Sequence, residues 1–120
     1  MSQFSLSVRE TPPAQVIDLN GYLDAHTAPQ LEHAFQEMLN EKRYNLIVNF
    51  RDLIYISSAG LGVFMAFIED VRNNGGDIKL AEMSPKVYNV FDLLGFPMLY
   101  EIYDDEQQAR EKFINNSAIG

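Results

Sequence analysis

The sequence predicts an α/β fold: a single layer of mixed, mostly parallel sheet of about five strands, packed with about four helices. Three observations lead there. Two short segments that alternate apolar and polar residues lie close together early in the chain, separated by "TPPAQ" (11–15). The compact apolar run "NLIVNF" (45–50) has the unbroken hydrophobicity of a strand buried on both faces. Around and after it, helix-period and strand-period segments alternate, the order that builds parallel sheets through crossover helices.

The elements follow in order. "FSLSV" places Phe4, Leu6 and Val8 on one side of a strand, and the prolines of "TPPAQ" interrupt it. "VIDL" (16–19) resumes as a second strand closed by Asn20-Gly21, so the two form a hairpin or adjacent pair. Thr27 followed by Gln30 is a capping-box pattern, and Ala28, Leu31, Ala34, Phe35, Met38 and Leu39 recur at helix spacing behind it. After "NLIVNF", "RDLIYI" (51–56) is expected to carry the chain over the sheet edge. A long helix then runs from about Ala59 to Asn73 and stops at "NNGG", where glycine can take the left-handed cap. "DIKLAE" is a strand, and "SPKVYNVFDLLG" is a helix with Ser84 as cap, Pro85 in its first turn and Gly95 after its last. "MLYEIY" is a short strand, and "DDEQQAREKF" a final helix with acids first and bases last. The order β-β-α-β-α-β-α-β-α implies right-handed crossovers, and residues 1–120 are expected to form one domain without repeats or linkers.

Composition narrows function. With 47% hydrophobic and 22% charged residues the chain is too apolar for disorder, and the absence of cysteine removes disulfides, thiolate metal sites and thiol nucleophiles. The net charge of −8 would repel nucleic acid and anionic membranes. It suits a partner with a basic docking surface and serves equally as a solubility device. No stretch approaches the roughly 18 apolar residues of a membrane span, and no leader pattern opens the chain, so a cytoplasmic location is expected.

The chemically suggestive segment is "YISSAGLG" (55–62). It sits where a strand hands over to a helix, the place where α/β proteins put anions. One of Ser57 and Ser58 is accounted for as a helix N-cap, a role worth about 1 kcal/mol; the other reading is a hydroxyl that accepts phosphate. Gly60 and Gly62 allow either a close-approaching partner or tight packing of helix on sheet. At 100° per residue Leu61, Phe64, Met65, Ile68 and Val71 face the sheet. Val63 and Phe67 lie at the margin, as core edge or as partner contacts. Catalytic motifs are missing: I-S-S-A-G is not the G-x-S-x-G elbow, and neither phosphate-loop nor dinucleotide glycine patterns occur. His26 and His33 lack an orienting triad, and Asp24 with His26 is too little for a metal site. No enzyme activity, metal or cofactor is expected.

Assembled, the chain resembles a STAS domain, specifically the stand-alone anti-sigma factor antagonists, over about residues 4–114. The resemblance rests on "LNGYLDAHTAPQLEHAF" (19–35), on "NLIVNFRDLIYISSAGLGVFMAF" (45–67) and on "NNGGDIKLAEMSPKVYNVFDLLGF" (73–96), in that order and spacing. It implies a STAS-like fold and a partner switch. The unphosphorylated protein binds an anti-sigma factor that is also a serine kinase, thereby releasing a sigma factor; phosphorylation ends the interaction and a PP2C-type phosphatase restores it. The motif puts the phosphoacceptor at Ser58, with Ser57 as second candidate, and partner contacts at Asp24, Ser57, Ala59, Gly60, Gly62, Val63 and Phe67. Asp52 matches the family's acid after the central strand. Ser57 and Ala59 depart from the family, many of whose members have aspartate before the acceptor and serine or threonine after it. The oligomeric state expected is monomer or weak homodimer. The rival readings are a STAS docking module of a stress-signalling or transporter complex without phosphorylation, and a small-ligand or nucleotide-binding STAS domain.

Overall fold

A computed structural model describes the backbone of residues 3–119 and the side chains of residues 3–114. The elements are β1 (Phe4–Thr11), β2 (Ala14–Leu23), α1 (Ala28–Asn40), β3 (Asn45–Ile56), α2 (Ser58–Asn73), β4 (Asp77–Ala81), α3 (Pro85–Leu93), β5 (Ile102–Tyr103) and α4 (Glu106–Ile119), with a 3-10 turn at Phe96–Met98. The strands lie in the order β1-β2-β3-β4-β5; β1 and β2 are antiparallel and the remaining pairs parallel. This is the mixed, mostly parallel sheet that the sequence predicts.

Because the parallel strands are added in one direction, right-handed crossovers put α1, α2 and α3 on the same face. Leu46, Val48 and Phe50 of β3 point into that face and join Leu31, Phe35, Phe64 and Phe91 in the main core. The Phe50 ring lies 5.8 Å from Phe64 and 5.4 Å from Phe91. On the other face Ile47, Val16, Ala14 and Ala81 are covered by Ala109 and Phe113 of α4. Burial on both faces is why "NLIVNF" reads as an unbroken apolar run.

The apolar contact of α4 is small, and ionic groups tie it down. Glu106 accepts from Arg9 at 2.6 Å and from Asn49 Nδ2 at 2.9 Å, while its amide donates to Glu82 at 3.1 Å. The fully buried Lys79 ammonium bridges Asp77 at 3.1 Å and Glu101 at 3.0 Å, and rests over the Phe113 ring. A buried cation is tolerable only with such partners.

Two expectations fail, for one reason. β2 does not close at Asn20-Gly21, and residues 51–56 do not leave the sheet: β2 continues to Leu23 and β3 to Ile56, paired with each other. Gly21 is a mid-strand residue with φ +92°, and a Cβ on it would fall 2.1 Å from the Gln3 carbonyl oxygen. The register runs Asp18↔Asn49, Asn20↔Asp52, Gly21↔Leu53, Tyr22↔Tyr55, so β3 carries one extra residue at each of two bulges. The bulges turn a two-residue alternation into a three-residue one. Phe50, Leu53 and Ile56 therefore all face the main core, while Arg51, Asp52, Ile54 and Tyr55 stay outside.

Candidate functional site

The bulged ends of β2 and β3 present the start of α2. The Ser57 amide donates to the Leu23 carbonyl at 2.9 Å, fastening the segment to the end of β2. Ser57 is extended (φ −99°, ψ 173°) and its hydroxyl accepts from the Gly60 amide at 3.4 Å, which makes it the N-cap. Its side chain is thereby turned inward and half-buried. Ser58, the first residue of the helix, is exposed, and among the described residues no side chain hydrogen-bonds its hydroxyl. Two adjacent serines thus have two roles: one closes the helix, the other stands outside it.

The two glycines divide in the same way. Gly60 is buried, and a Cβ there would lie 2.9 Å from Leu23 Cγ and 3.0 Å from Ile56 Cγ1, so the close approach it permits is to the protein's own strands. Gly62 is exposed, and a Cβ on it would meet nothing within 4 Å. Internal packing does not require Gly62.

The helix margin is a correction. Val63 and Phe67, expected at the margin as core edge or as partner contacts, are 5% and 8% exposed and belong to the main core, so neither is open to a partner. Met65, expected against the sheet, is 48% exposed. The cause is α1: the Phe67 ring packs 5.5 Å from Phe35, so the buried sector of α2 widens toward its helical neighbour as well as the sheet. The exposed stripe is Ser58, Ala59, Gly62, Met65, Ala66 and Glu69.

The adjoining loop is stiff. Asp24 Oδ1 accepts from the amides of His26 at 2.9 Å and Thr27 at 3.2 Å. The nearly buried Thr27 hydroxyl donates to the Tyr22 carbonyl at 2.8 Å and accepts from the Asp24 amide at 2.9 Å. That engagement is why the expected capping box fails: Thr27 stands at the N-cap of α1 without a side-chain cap bond. Asp24 shapes this turn at the end of β2. Asp52 is exposed, 3.7 Å from Arg51, which also reaches Glu82 at 3.6 Å.

The histidines are elsewhere engaged or solvated. His33 pairs with Glu37 at 2.6 Å one helical turn on, and His26 lies exposed in the loop. Among the described residues no three His, Asp or Glu side chains gather to hold a metal ion.

The sequence reading did not single out Tyr22, Ile54 and Tyr55, which lie exposed beside the serine segment; Tyr22 and Tyr55 are cross-strand partners with rings 6.3 Å apart. The signal that could have found them is the three-residue spacing of Phe50, Leu53 and Ile56.

Residues 5–109 match the family profile of the STAS domain. Among curated proteins, the chain is 30% identical over 86 residues to the anti-sigma-B factor antagonist of Bacillus subtilis (strain 168), covering 72% of this chain and 78% of that one. It is 25% identical over 95 residues to the anti-sigma F factor antagonist of Paenibacillus polymyxa, covering 78% of this chain and 81% of that one. Among solved structures, the unphosphorylated form of the anti-sigma factor antagonist SpoIIAA superposes with a TM-score of 0.80 at 23% identity, over 92% of this chain and 97% of its own.

Proposed function

This chain belongs to the STAS domain family, and from that premise we propose that it is an anti-sigma factor antagonist whose partner binding is switched by phosphorylation of Ser58. The observation that carries the reading is the division of labour between neighbouring serines: Ser57 caps α2, and Ser58 presents an exposed hydroxyl at its first residue. Ser57, the second candidate acceptor, is disfavoured because its hydroxyl is turned inward to the Gly60 amide and half-buried, out of reach of a kinase that would meet the exposed Ser58 first.

In the unmodified state Ser58, Ala59 and Gly62 offer a low, uncharged surface against which an anti-sigma factor with serine kinase activity can lie. A phosphate on Ser58 adds about −1.5 to −2 charge there. The amides and dipole at the start of α2 tolerate that charge, so the backbone of the free protein stays as it is. A partner that buried this dianion without matched cations would lose several kcal/mol, enough to release a micromolar complex. A PP2C-type phosphatase would reset the switch. The protein acts as a binding module without catalytic machinery of its own. Among the described residues no helix is long and apolar enough to cross a membrane.

The test is incubation with a candidate anti-sigma factor serine kinase from the same organism and magnesium ATP. One serine becomes labelled; Ser58→Ala is unlabelled and still binds, whereas Ser58→Asp binds weakly. Labelling that persists in Ser58→Ala overturns the site, and full-strength binding by Ser58→Asp overturns the charge mechanism.

A further inference from the structure

Tyr22, Ile54 and Tyr55 form a surface that the fold leaves uncovered. They are 40%, 54% and 47% exposed, and they lie on consecutive stretches of the paired β2 and β3 ends. α4 covers the same sheet lower down, over Ala14, Val16, Ile47 and Ala81, and its first residue is held at Asn49. β4 pairs with β3 only as far as Asn49. Beyond that point, among the described residues, β3 has neither a strand neighbour on that side nor a helix over its back.

A single exposed isoleucine needs no explanation. Here the chain carries an extra residue in β3 between its pairings with Gly21 and Tyr22, and that residue is Ile54. Without the bulge, strict alternation would place successive residues on opposite faces. Bulges commonly re-aim side chains beside functional sites. This one puts an isoleucine next to a tyrosine pair, and β3, which bears Ile54 and Tyr55, runs directly into Ser57 and Ser58. Tyrosine and isoleucine supply rigid apolar area suited to an interface centre.

The charges around the patch are unequal. Asp52 pairs in register beside it, Asp24 closes the turn that follows Tyr22, and Glu82 lies 3.6 Å from Arg51, which is also 3.7 Å from Asp52, so three carboxylates stand against one guanidinium. With a net charge of −8 on the chain, the surface presented is apolar with an acidic border.

We infer that the exposed face of Tyr22, Ile54 and Tyr55 is the docking surface for the protein that acts on Ser58, and that this partner meets it with an apolar centre bordered by lysine or arginine. The inference rests on the Ser58 reading and adds where the partner is held. Continuity with Ser58 chooses the occupant, and the acidic border defines the partner's chemistry. The kinase reads a surface wider than the acceptor segment, so recognition and modification are separable.

The test uses the purified anti-sigma factor kinase of the preceding experiment, measuring both affinity and the kinetics of Ser58 phosphorylation. The double variant Ile54→Thr/Tyr55→Thr keeps strand-forming residues at exposed positions, so its thermal midpoint stays close to the parent's. Its affinity is expected to fall at least about tenfold, with KM raised and kcat kept, as for loss of interface anchors. Asp52→Lys is expected to weaken binding several-fold, more at low salt than at high. Leu93→Gln, an equally apolar and more exposed position (85%) at the end of α3, serves as control and leaves binding unchanged. If the parent is phosphorylated on Ser58 and the folded double variant binds within twofold of it, the docking face is wrong while the Ser58 reading stands. Unchanged binding by Asp52→Lys overturns the cationic border. A parent that neither binds nor is labelled overturns the Ser58 reading, and this inference with it.

Discussion

The amide of Gly60 donates to the hydroxyl of Ser57 at 3.4 Å, and one residue along the chain Ser58 has its hydroxyl in solvent. The pair behaves as a hinge post and a latch: the first holds the helix start in place, and the second is accessible because the first does so.

Ser57→Ala should therefore cost about 0.5–1 kcal/mol of stability, the lower part of the range for a lost cap given the long bond, whereas Ser58→Ala should change it by less than about 0.5 kcal/mol. Urea unfolding of the two variants measures the difference. The opposite ranking would mean that the cap is assigned to the wrong serine.

The glycines give a second contrast. Gly62→Ala fills open space on an exposed helix and should stabilise the protein by roughly 0.5–1 kcal/mol. Gly60→Ala drives a methyl group toward Leu23 and Ile56, each at 3.0 Å or less, and should destabilise it. If Gly62 is small for a partner's sake, the stabilised Gly62→Ala protein will also bind the proposed partner less well, and calorimetry with thermal unfolding reads both effects.

Tyr100 carries a buried hydroxyl that finds no hydrogen-bond partner among the described residues, and burial holds its phenol above the usual range. Its ring does the useful packing, stacked 5.4 Å from Phe96 with the Arg72 guanidinium 5.6 Å above it. Tyr100→Phe should accordingly be neutral or stabilising by up to about 1 kcal/mol, since it deletes only an unsatisfied polar atom. A clear loss in thermal unfolding would show that the hydroxyl is satisfied in solution.

Acid should loosen α4. Hydrogen bonds from Arg9 hold the Glu106 carboxyl below the usual range, and the Tyr103 hydroxyl, followed by Lys79, does the same for Glu101. A carboxylate whose folded pKa is depressed stabilises the fold above its unfolded value of about 4.3, and that contribution is lost as pH falls from there through the folded value. Glu106→Gln should cost about 1–2 kcal/mol at pH 7, moderated because Arg9 is partly solvated, and should lose less on going to pH 3 than the parent does. Stability curves by urea titration at several pH values decide it; parallel curves would remove Glu106 from the clamp.

What the sequence makes legible depends on whether one neighbour or several decide a residue's place. "NLIVNF" is readable because both of its faces are covered, and Ser84 because its cap bond to the Val87 amide at 3.2 Å is local. The outer half of β3 is not readable: its bulges arise from pairing with β2, a partner some 30 residues away, and an alternating template finds no strand in a three-residue repeat. Thr27 and Gln30 have the right spacing for a capping box, yet the Tyr22 carbonyl takes the threonine hydroxyl. At the site, the sequence narrows the cap to one of two serines, and only backbone geometry says which. It misplaces Val63 and Phe67 because a helical wheel knows the sheet and not the second helix beside it.

Strand order that repeats chain order has a consequence for synthesis. Each strand after the first leaves the ribosome with its sheet neighbour already made, so pairing does not wait for later sequence. The rear of the sheet is the exception. Val16, Ile47 and Ala81 stay wet until the segment beginning at Glu106 has been translated and docked. A nascent chain paused ahead of that point would have its sheet formed and its rear face still sticky, and it is there that a chaperone would find it.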